Sequence, residues 1–123
     1  DKNNSVLVEC QPLRGYTNFK DNMLDELDKH WTQFKYDKTS GLKDQKTWRY
    51  QYRRHGTCCQ ELYNQDMYFS LALHLKRKVD LLRNLRQNGL APGGNYTSAD
   101  IIKAVKTVSK SEPKITCVKV PRQ

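Results

Sequence analysis

Two adjacent cysteines, Cys58 and Cys59, constrain the fold of this chain more than any other feature of its sequence. Neighbouring cysteines would close a strained ring if they bonded to each other, so a disulfide from either one requires a partner elsewhere. Among the four cysteines, Cys10 and Cys117 are the natural partners. No histidine stands at a spacing typical of zinc ligands, so we expect disulfides and neither a metal site nor a cofactor.

Length and charge limit the class of protein. At 123 residues the chain can form one hydrophobic core, so we expect a single domain over residues 1–123. It carries 22 Lys and Arg against 13 Asp and Glu, a formal net charge of +9, which favours an anionic partner. Charged residues interrupt the longest apolar-rich region, Met67 to Leu85, so no stretch is long enough to span a membrane. We therefore expect a soluble monomer without membrane contact.

The spacing of apolar residues predicts helices through most of the chain. Apolar side chains recur at three- and four-residue steps from Met23 to Phe34, from Met67 to Leu85 and from Ile101 to Val108. Residues 5–9 and 114–120 have the β-branched or alternating composition of strands. Because these strands lie at the two ends of the chain, the pattern favours the α+β class, with an antiparallel sheet packed against several helices.

The segment WRYQYRRHGTCC, which includes both adjacent cysteines, sets one imidazole beside several cations. If residues 47–57 are helical, the amide of Gln51, the guanidinium of Arg54 and the imidazole of His55 share one side. Such a surface could hold and titrate a phosphodiester. A solvated cationic helix with a surface histidine has the same composition, so the pattern alone leaves both interpretations open.

The aromatic residues of this segment divide by helical spacing. Trp48 and Tyr52 stand four positions apart, and we expect them to pack in the core because aromatic side chains bury so much area. Tyr50 is the better candidate for contact with a ligand, since aromatic side chains that alternate with cations often stack on nucleic-acid bases.

Metal-free cleavage of RNA needs a base for the 2'-hydroxyl proton, an acid for the leaving oxygen and cations for the charge on the phosphorus group. His55 could serve as base or acid near neutral pH. His30 and His74 are candidates for the second imidazole, although each lies on an amphipathic helix among polar neighbours, where a solvated or structural histidine is the more common case.

RRHGTCC and the run QELYNQDMYFSLALHLKRKVDLLRNLRQNGLAPG that follows it resemble the T2 ribonuclease family, and within it the plant S-ribonucleases of self-incompatibility. NMLDELDKHW and KITCVKV extend the resemblance over nearly the whole chain. The resemblance implies a secreted, extracellular endoribonuclease that cleaves single-stranded RNA by transphosphorylation through a 2',3'-cyclic phosphate. It also implies a pollen-side recognition protein as partner.

By this resemblance His55 is a catalytic histidine, usually the proton acceptor. The family motif has an acidic residue and a lysine where this chain has Gln51 and Arg54. Arg54 keeps the charge, but Gln51 cannot hold a proton or a negative charge, so turnover or its pH dependence should differ. Some relatives carry histidine at the position of Tyr50 and phenylalanine at that of Thr47, the two residues assigned to substrate binding.

The family's other active-site motif, His-Gly-Leu-Trp-Pro, does not occur in these 123 residues. Its place in the family order is immediately before Asp1, so the resemblance implies the central portion of a T2-type domain, incomplete at both ends and inactive by itself. The resemblance also implies a bridge between Cys10 and Cys58, a partner for Cys117 outside these residues and no obvious partner for Cys59.

Secretion would make Asn3 and Asn95 acceptors for N-linked glycans, since both lie in Asn-X-Ser/Thr sequons. Residues 1–16 and 34–46 look like the variable stretches with which self-incompatibility ribonucleases recognise pollen proteins. Within the second stretch, residues 35–46 are polar and aperiodic, which predicts an exposed loop.

Two other functions fit parts of the pattern. A catalytically silent relative would bind RNA or a protein through its basic face, and Gln51 favours this alternative. An unrelated nucleic-acid module would bind with a steep salt dependence and without any dependence on His55.

Overall fold

A computed structural model describes residues 5–10 and 15–118, and its regular elements there are helices. The chain divides into two compact units, residues 1–74 and 75–123. In chain order the helices are α1 (Asp21–His30), α2 (Lys38–Asp44), α3 (Lys46–Arg54), a 3-10 helix (Gly56–Cys59), α4 (Gln65–Val79), α5 (Leu81–Gln87) and α6 (Ser98–Ser109).

A largely aromatic core holds the first unit together. Its buried side chains are Phe19, Leu27, Trp48, Tyr52, Phe69 and Leu73. Trp48 and Tyr52 are 0% and 1% exposed, which confirms that they pack in the core. The indole N–H of Trp48 donates to the carbonyl oxygen of Trp31 at 2.8 Å, so its one polar atom is also satisfied. This buried side of α3 fixes which of its residues face outward.

The loop predicted over residues 35–46 is wrong, because this stretch contains α2, although most of its residues are exposed as expected. An exception is the side-chain amide of Gln45. Gln45 is 1% exposed and joins α2 to α3 with a φ of 50°. Its side-chain oxygen accepts from Tyr16 Oη and Phe19 N, both at 2.8 Å. Its Nε2 donates to the carbonyl oxygens of Phe19 and Leu42 at 2.8 and 3.2 Å. Burial costs this polar side chain little because its hydrogen bonds are made inside the protein.

The predicted antiparallel sheet is also wrong for the described residues, which contain no β-strand. Val6 and Val118, in the two segments of strand composition, are 84% and 82% exposed. β-Branched residues favour a half-buried pleated surface, and a segment becomes a strand only when a neighbour supplies a ladder. The first segment instead contacts the end of α3, where Glu9 N donates to the carbonyl oxygen of Arg54 at 2.7 Å. Residues 119 and 120 lie outside the described part.

The single helix expected from Met67 to Leu85 divides at Asp80, whose φ of 39° ends α4. The carboxylate of Asp80 then caps α5 by accepting from Arg83 N at 3.4 Å. At the start of α6, Thr97 and Asp100 form a capping box. Hydrogen bonds from Thr97 lower the pKa of Asp100 below its usual value.

Helices α5 and α6 pack together in the second unit. Leu90 and Ala104 are buried there, and Thr107 Oγ1 donates to Asn84 Oδ1 at 3.0 Å. None of the described helices combines the length and apolarity needed to cross a bilayer. The single domain expected over residues 1–123 stays a prediction.

Candidate active site

Helix α3 and the residue after it carry all five side chains that the sequence assigns to catalysis and substrate binding. They are Thr47, Tyr50, Gln51, Arg54 and His55. Helical spacing places Tyr50 and Arg54 on the side of α3 away from the core, and His55 follows the last residue of the helix. Tyr50 is 56% exposed, and His55 is exposed as well. Thr47, Gln51 and Arg54 are partly buried, so the five residues lie close together along the chain but differ in exposure.

His55 occupies the C-cap of α3, where its N–H donates to the carbonyl oxygen of Gln51 at 3.0 Å. The two residues thus stand one helical turn apart. Thr47 is positioned at the other end, because its N–H donates to Oε1 of the buried Gln33 at 3.0 Å. That bond satisfies one of the backbone donors that a helix leaves open at its start. Both ends of the predicted site are therefore anchored through backbone groups.

Gly56 determines how the chain leaves His55. It is buried, and the ring of Tyr52 lies against its Cα. A Cβ added at Gly56 would lie 2.8 Å from Tyr52 Cε2 and closer still to Tyr52 Cδ2. Only glycine leaves room for the buried ring at this position.

We expect Gly56→Ala to lower the free energy of unfolding by about 1–3 kcal/mol, because the added methyl group displaces a core ring. Urea unfolding of the purified protein measures the change. Gly15→Ala is the matched control, since nothing lies within 4 Å of a Cβ added there. Equal midpoints for the two variants would contradict this description of the contact.

Glu9 and Cys10 are linked to the C-terminal end of α3. Cys10 and Cys58 form a disulfide with their Cα atoms 4.9 Å apart, the pairing that the family resemblance implies. The N–H of Cys10 lies 3.3 Å from Cys58 Sγ. Cys59 and Cys117 are free cysteines. The disulfide thus fixes the chain beside the C-terminal end of α3.

Arg54 is already paired in the structure. Its Nη1 lies 3.2 Å from Oε1 of Glu9, and the two side chains are 39% and 65% exposed. Exposed pairs of this kind contribute about 0–1 kcal/mol because water screens them. A phosphate that binds Arg54 therefore competes with one weakly held carboxylate.

An open cleft of about 370 Å³ lies along the flank of α3, and we call it the α3 cleft. Its lining residues are Glu9, Cys10, Lys46, Arg49, Tyr50, Arg53, Arg54 and Thr57. Tyr50 and Arg54 belong both to this cleft and to the predicted site, whereas Thr47, Gln51 and His55 do not line it. The cleft and the predicted site are neighbouring parts of one helix surface.

Sequence reasoning missed Lys46 and Glu9 as parts of this surface. Lys46, Arg49 and Arg53 recur at three- and four-residue steps, a signal that helical periodicity could have found. Glu9 had no such signal, because it reaches the helix through tertiary contacts at Arg54.

The other two histidines lie on α1 and α4. His30 is on α1, with its Nε2 3.9 Å from Oε2 of Glu26, and His74 is exposed on α4. Neither lines the α3 cleft. Asn95 is exposed before α6, and Asn3 lies outside the described residues. No group of three or more His, Cys, Asp or Glu side chains in residues 5–10 and 15–118 is placed to hold a metal ion.

Several known proteins are similar to this chain in sequence and in fold. The chain is similar to Ribonuclease S-F11 of Nicotiana alata, with 48% identity over 116 residues that cover 94% of this chain and 59% of the relative. It is similar to Ribonuclease S-2 of Solanum tuberosum, with 42% identity over 118 residues that cover 88% of this chain and 53% of the relative.

The crystal structure of the Nicotiana alata gametophytic self-incompatibility associated SF11-RNase is similar too. It aligns with a TM-score of 0.88 and 47% identity over 97% of this chain and 61% of that chain. This chain thus spans little more than half the length of these relatives. Residues 1–123 match the model of the Ribonuclease T2 family, and the chain belongs to that family.

Proposed function

We propose that this chain supplies the proton acceptor of a secreted endoribonuclease that cleaves single-stranded RNA. The observation that carries the proposal is the exposed His55, which caps the C-terminal end of the cation-rich helix α3, one turn from Gln51 and next to Arg54. Membership of the Ribonuclease T2 family and the names of the relatives support it.

The proposed reaction is a transphosphorylation. His55 takes the proton of the 2'-hydroxyl while that oxygen attacks phosphorus, and a second group protonates the 5'-oxygen as the phosphorus–oxygen bond breaks. The products are a 2',3'-cyclic phosphate and a free 5'-hydroxyl. The guanidinium of Arg54 and the amide of Gln51 stabilise the charge on the phosphorane, by charge and by hydrogen bonding respectively. Tyr50 and Thr47 contact the substrate.

The reaction needs a second proton-transfer group, and in this proposal residues 1–123 do not supply it. His30 lies beside Glu26 on α1, and His74 is exposed on α4. Neither shares a described contact with His55. We therefore propose that residues 1–123 by themselves are nearly inactive, while the full-length protein is active.

Analysis of the cleavage products tests the reaction. The full-length protein is incubated with a dinucleoside monophosphate, and phosphorus NMR follows the products. We expect a 2',3'-cyclic phosphate to form first. The matched 2'-deoxy compound should stay intact, because it lacks the attacking oxygen. Formation of a 5'-phosphate, or cleavage of the deoxy compound, would contradict the proposed reaction.

A catalytically silent relative that binds RNA or a protein is the second candidate. Gln51 favours it, because an amide cannot hold the charge of the family's acidic residue. Tight binding of a single-stranded oligonucleotide by the full-length protein, without cleavage of the corresponding RNA, would identify this alternative.

We expect Glu9→Gln to strengthen binding of a non-cleavable 2'-O-methyl oligonucleotide by up to about fivefold, because an exposed ion pair is worth about 1 kcal/mol at most. The variant releases Arg54 while keeping the shape of the side chain. Fluorescence anisotropy at fixed salt gives the dissociation constant. Glu61→Gln, at an exposed carboxylate outside the cleft lining, is the control for the change in net charge. An equal effect of the two variants would show that only net charge matters.

We also propose a role in self-incompatibility, with a pollen-side recognition protein as partner and with the protein acting as an extracellular, glycosylated monomer. Phe34, in the second predicted variable stretch, supports a protein partner because it is 93% exposed. Exposed aromatic side chains of this kind are common anchors of protein interfaces. The exposed Asn95 supports glycosylation at its sequon.

A further inference from the structure

The geometry of the α3 cleft points to a second RNA-binding site, which holds the phosphates of nucleotides next to the one cleaved at His55. This inference rests on the proposed function and adds a substrate contact to it. The α3 cleft shares Tyr50 and Arg54 with the predicted active site. Tyr50 and Arg54 are therefore the points at which an RNA strand bound at the active site would enter the cleft.

The cations of the α3 cleft are spaced for a chain of phosphates. Lys46, Arg49 and Arg53 lie at successive turns along one flank of α3. At 1.5 Å per residue, the row from residue 46 to residue 53 extends over about 10 Å. A row of that length suits a polyanion better than a single small anion.

The charges of this row remain available to a ligand. Arg49 is held by neutral groups: its Nη2 lies 3.1 Å from Asn18 Oδ1, and its guanidinium lies 5.6 Å from the centre of the Tyr16 ring. These contacts orient the guanidinium without cancelling its charge. Burial raises the pKa of Tyr16, while the charge of Arg49 opposes that rise, so the phenol stays neutral.

The other two cations of the row are exposed. Arg53 has no salt bridge to a carboxylate among residues 5–10 and 15–118. Lys46 Nζ lies 3.6 Å from Asp44 Oδ2, but both side chains are about half exposed, at 55% and 43%. Such a pair is weak and does not prevent contact with a phosphate.

Two further features favour a single-stranded nucleic acid. The ring of Tyr50 is 56% exposed beside the cations, which is the arrangement of a stacking platform for a base. The disulfide of Cys10 fixes the opposite wall, so the cleft is formed before a ligand arrives. Among the described residues that line the cleft, Glu9 is the one carboxylate, and it is already paired with Arg54.

Salt-dependent binding of a non-cleavable oligonucleotide tests the site. The probe is a 2'-O-methyl 12-mer, and fluorescence anisotropy of the full-length protein is measured from low to moderate salt. We expect Lys46→Gln/Arg53→Gln to weaken binding about tenfold at low salt and to reduce the salt slope by about 1.4, the value for two lost phosphate contacts on a single strand. Arg53→Lys, with Lys46 unchanged, should keep the slope because it keeps the charge.

The control is Lys29→Gln/Lys103→Gln, which removes the same charge from exposed positions outside the cleft lining. Equal losses of affinity and slope in both double variants would overturn the proposed site, as would an unchanged slope in the cleft variant. If the cleft variant shows the reduced salt slope but cleavage does not depend on His55, the proposed function is refuted and the proposed site is supported. His55-dependent cleavage with an unchanged slope would leave the function standing and refute the site.

Discussion

We expect His55→Ala to lower kcat/KM of the full-length protein on single-stranded RNA by about 10²–10⁴, the usual contribution of a general acid or base. The imidazole would be the group that takes the 2'-hydroxyl proton, and alanine cannot replace it. Initial rates on an oligoribonucleotide measure the loss. The side chain is exposed, so the variant should unfold at the same temperature as the unmodified protein.

His74→Ala is the matched control for this loss, because His74 is exposed on α4 and outside the lining of the α3 cleft. It should keep its activity. Equal activity of the His55→Ala variant and the unmodified protein would refute the role of His55. Loss of activity in His74→Ala alone would transfer that role to another imidazole.

Removal of the disulfide between Cys10 and Cys58 should lower the free energy of unfolding by about 4 kcal/mol in the loop-entropy model. The two cysteines are 48 residues apart, and a bridge over so long a loop restricts the unfolded chain strongly. The double variant Cys10→Ala/Cys58→Ala avoids a new free thiol. Denaturant unfolding without reductant measures the change.

The control for this change is Cys59→Ser, since Cys59 is free in the structure and serine keeps a donor for the carbonyl oxygen of Gly56. It should unfold at the midpoint of the unmodified protein. Addition of reductant should bring the unmodified protein close to the double variant. A destabilisation of the double variant below about 1 kcal/mol would mean that the bridge does not restrict the unfolded chain as the model requires.

The spacing of residues along the sequence predicted the helix α3 and the side chains that it buries. The four-residue step from Trp48 to Tyr52 was enough to place both side chains in the core, because an amphipathic helix buries its apolar stripe. The same rule would place His55 on the side of Trp48 and Tyr52, but the helix ends at Arg54 and His55 is exposed. Sequence patterns thus predicted the helix that carries the site, whereas the exposure of His55 depends on where that helix ends.

Tertiary contacts decided the features that the sequence could not predict. Gln45 is polar and is not part of any repeat of apolar residues. Four hydrogen bonds nevertheless make its burial favourable. The strand-like segments have the right composition, but no described neighbour forms a ladder with them. On α4 the apolar stripe through Met67 and Leu71 is exposed, and Phe69 and Leu73 are the buried residues. A helix with apolar residues on two sides does not reveal which side packs.

The disulfide pairing is another feature that the spacing of the sequence could not predict. Adjacent residues ruled out a bond between Cys58 and Cys59, but their spacing alone did not show which partner each would take. The family resemblance implied Cys10 and Cys58, and the structure forms that bond. Glu9 precedes the bonded Cys10 and contacts the guanidinium of Arg54, a contact that forms only in the folded chain.

NMR titration with a 2'-deoxy dinucleoside monophosphate tests most directly whether His55 faces the reacting phosphate. The three histidines of residues 1–123 serve as probes in the full-length protein, each assigned by its alanine variant. We predict that the imidazole resonances of His55 shift with added ligand, while those of His30 and His74 stay in place. A shift at His30 or His74 without one at His55 would contradict the assignment of His55 to the active site.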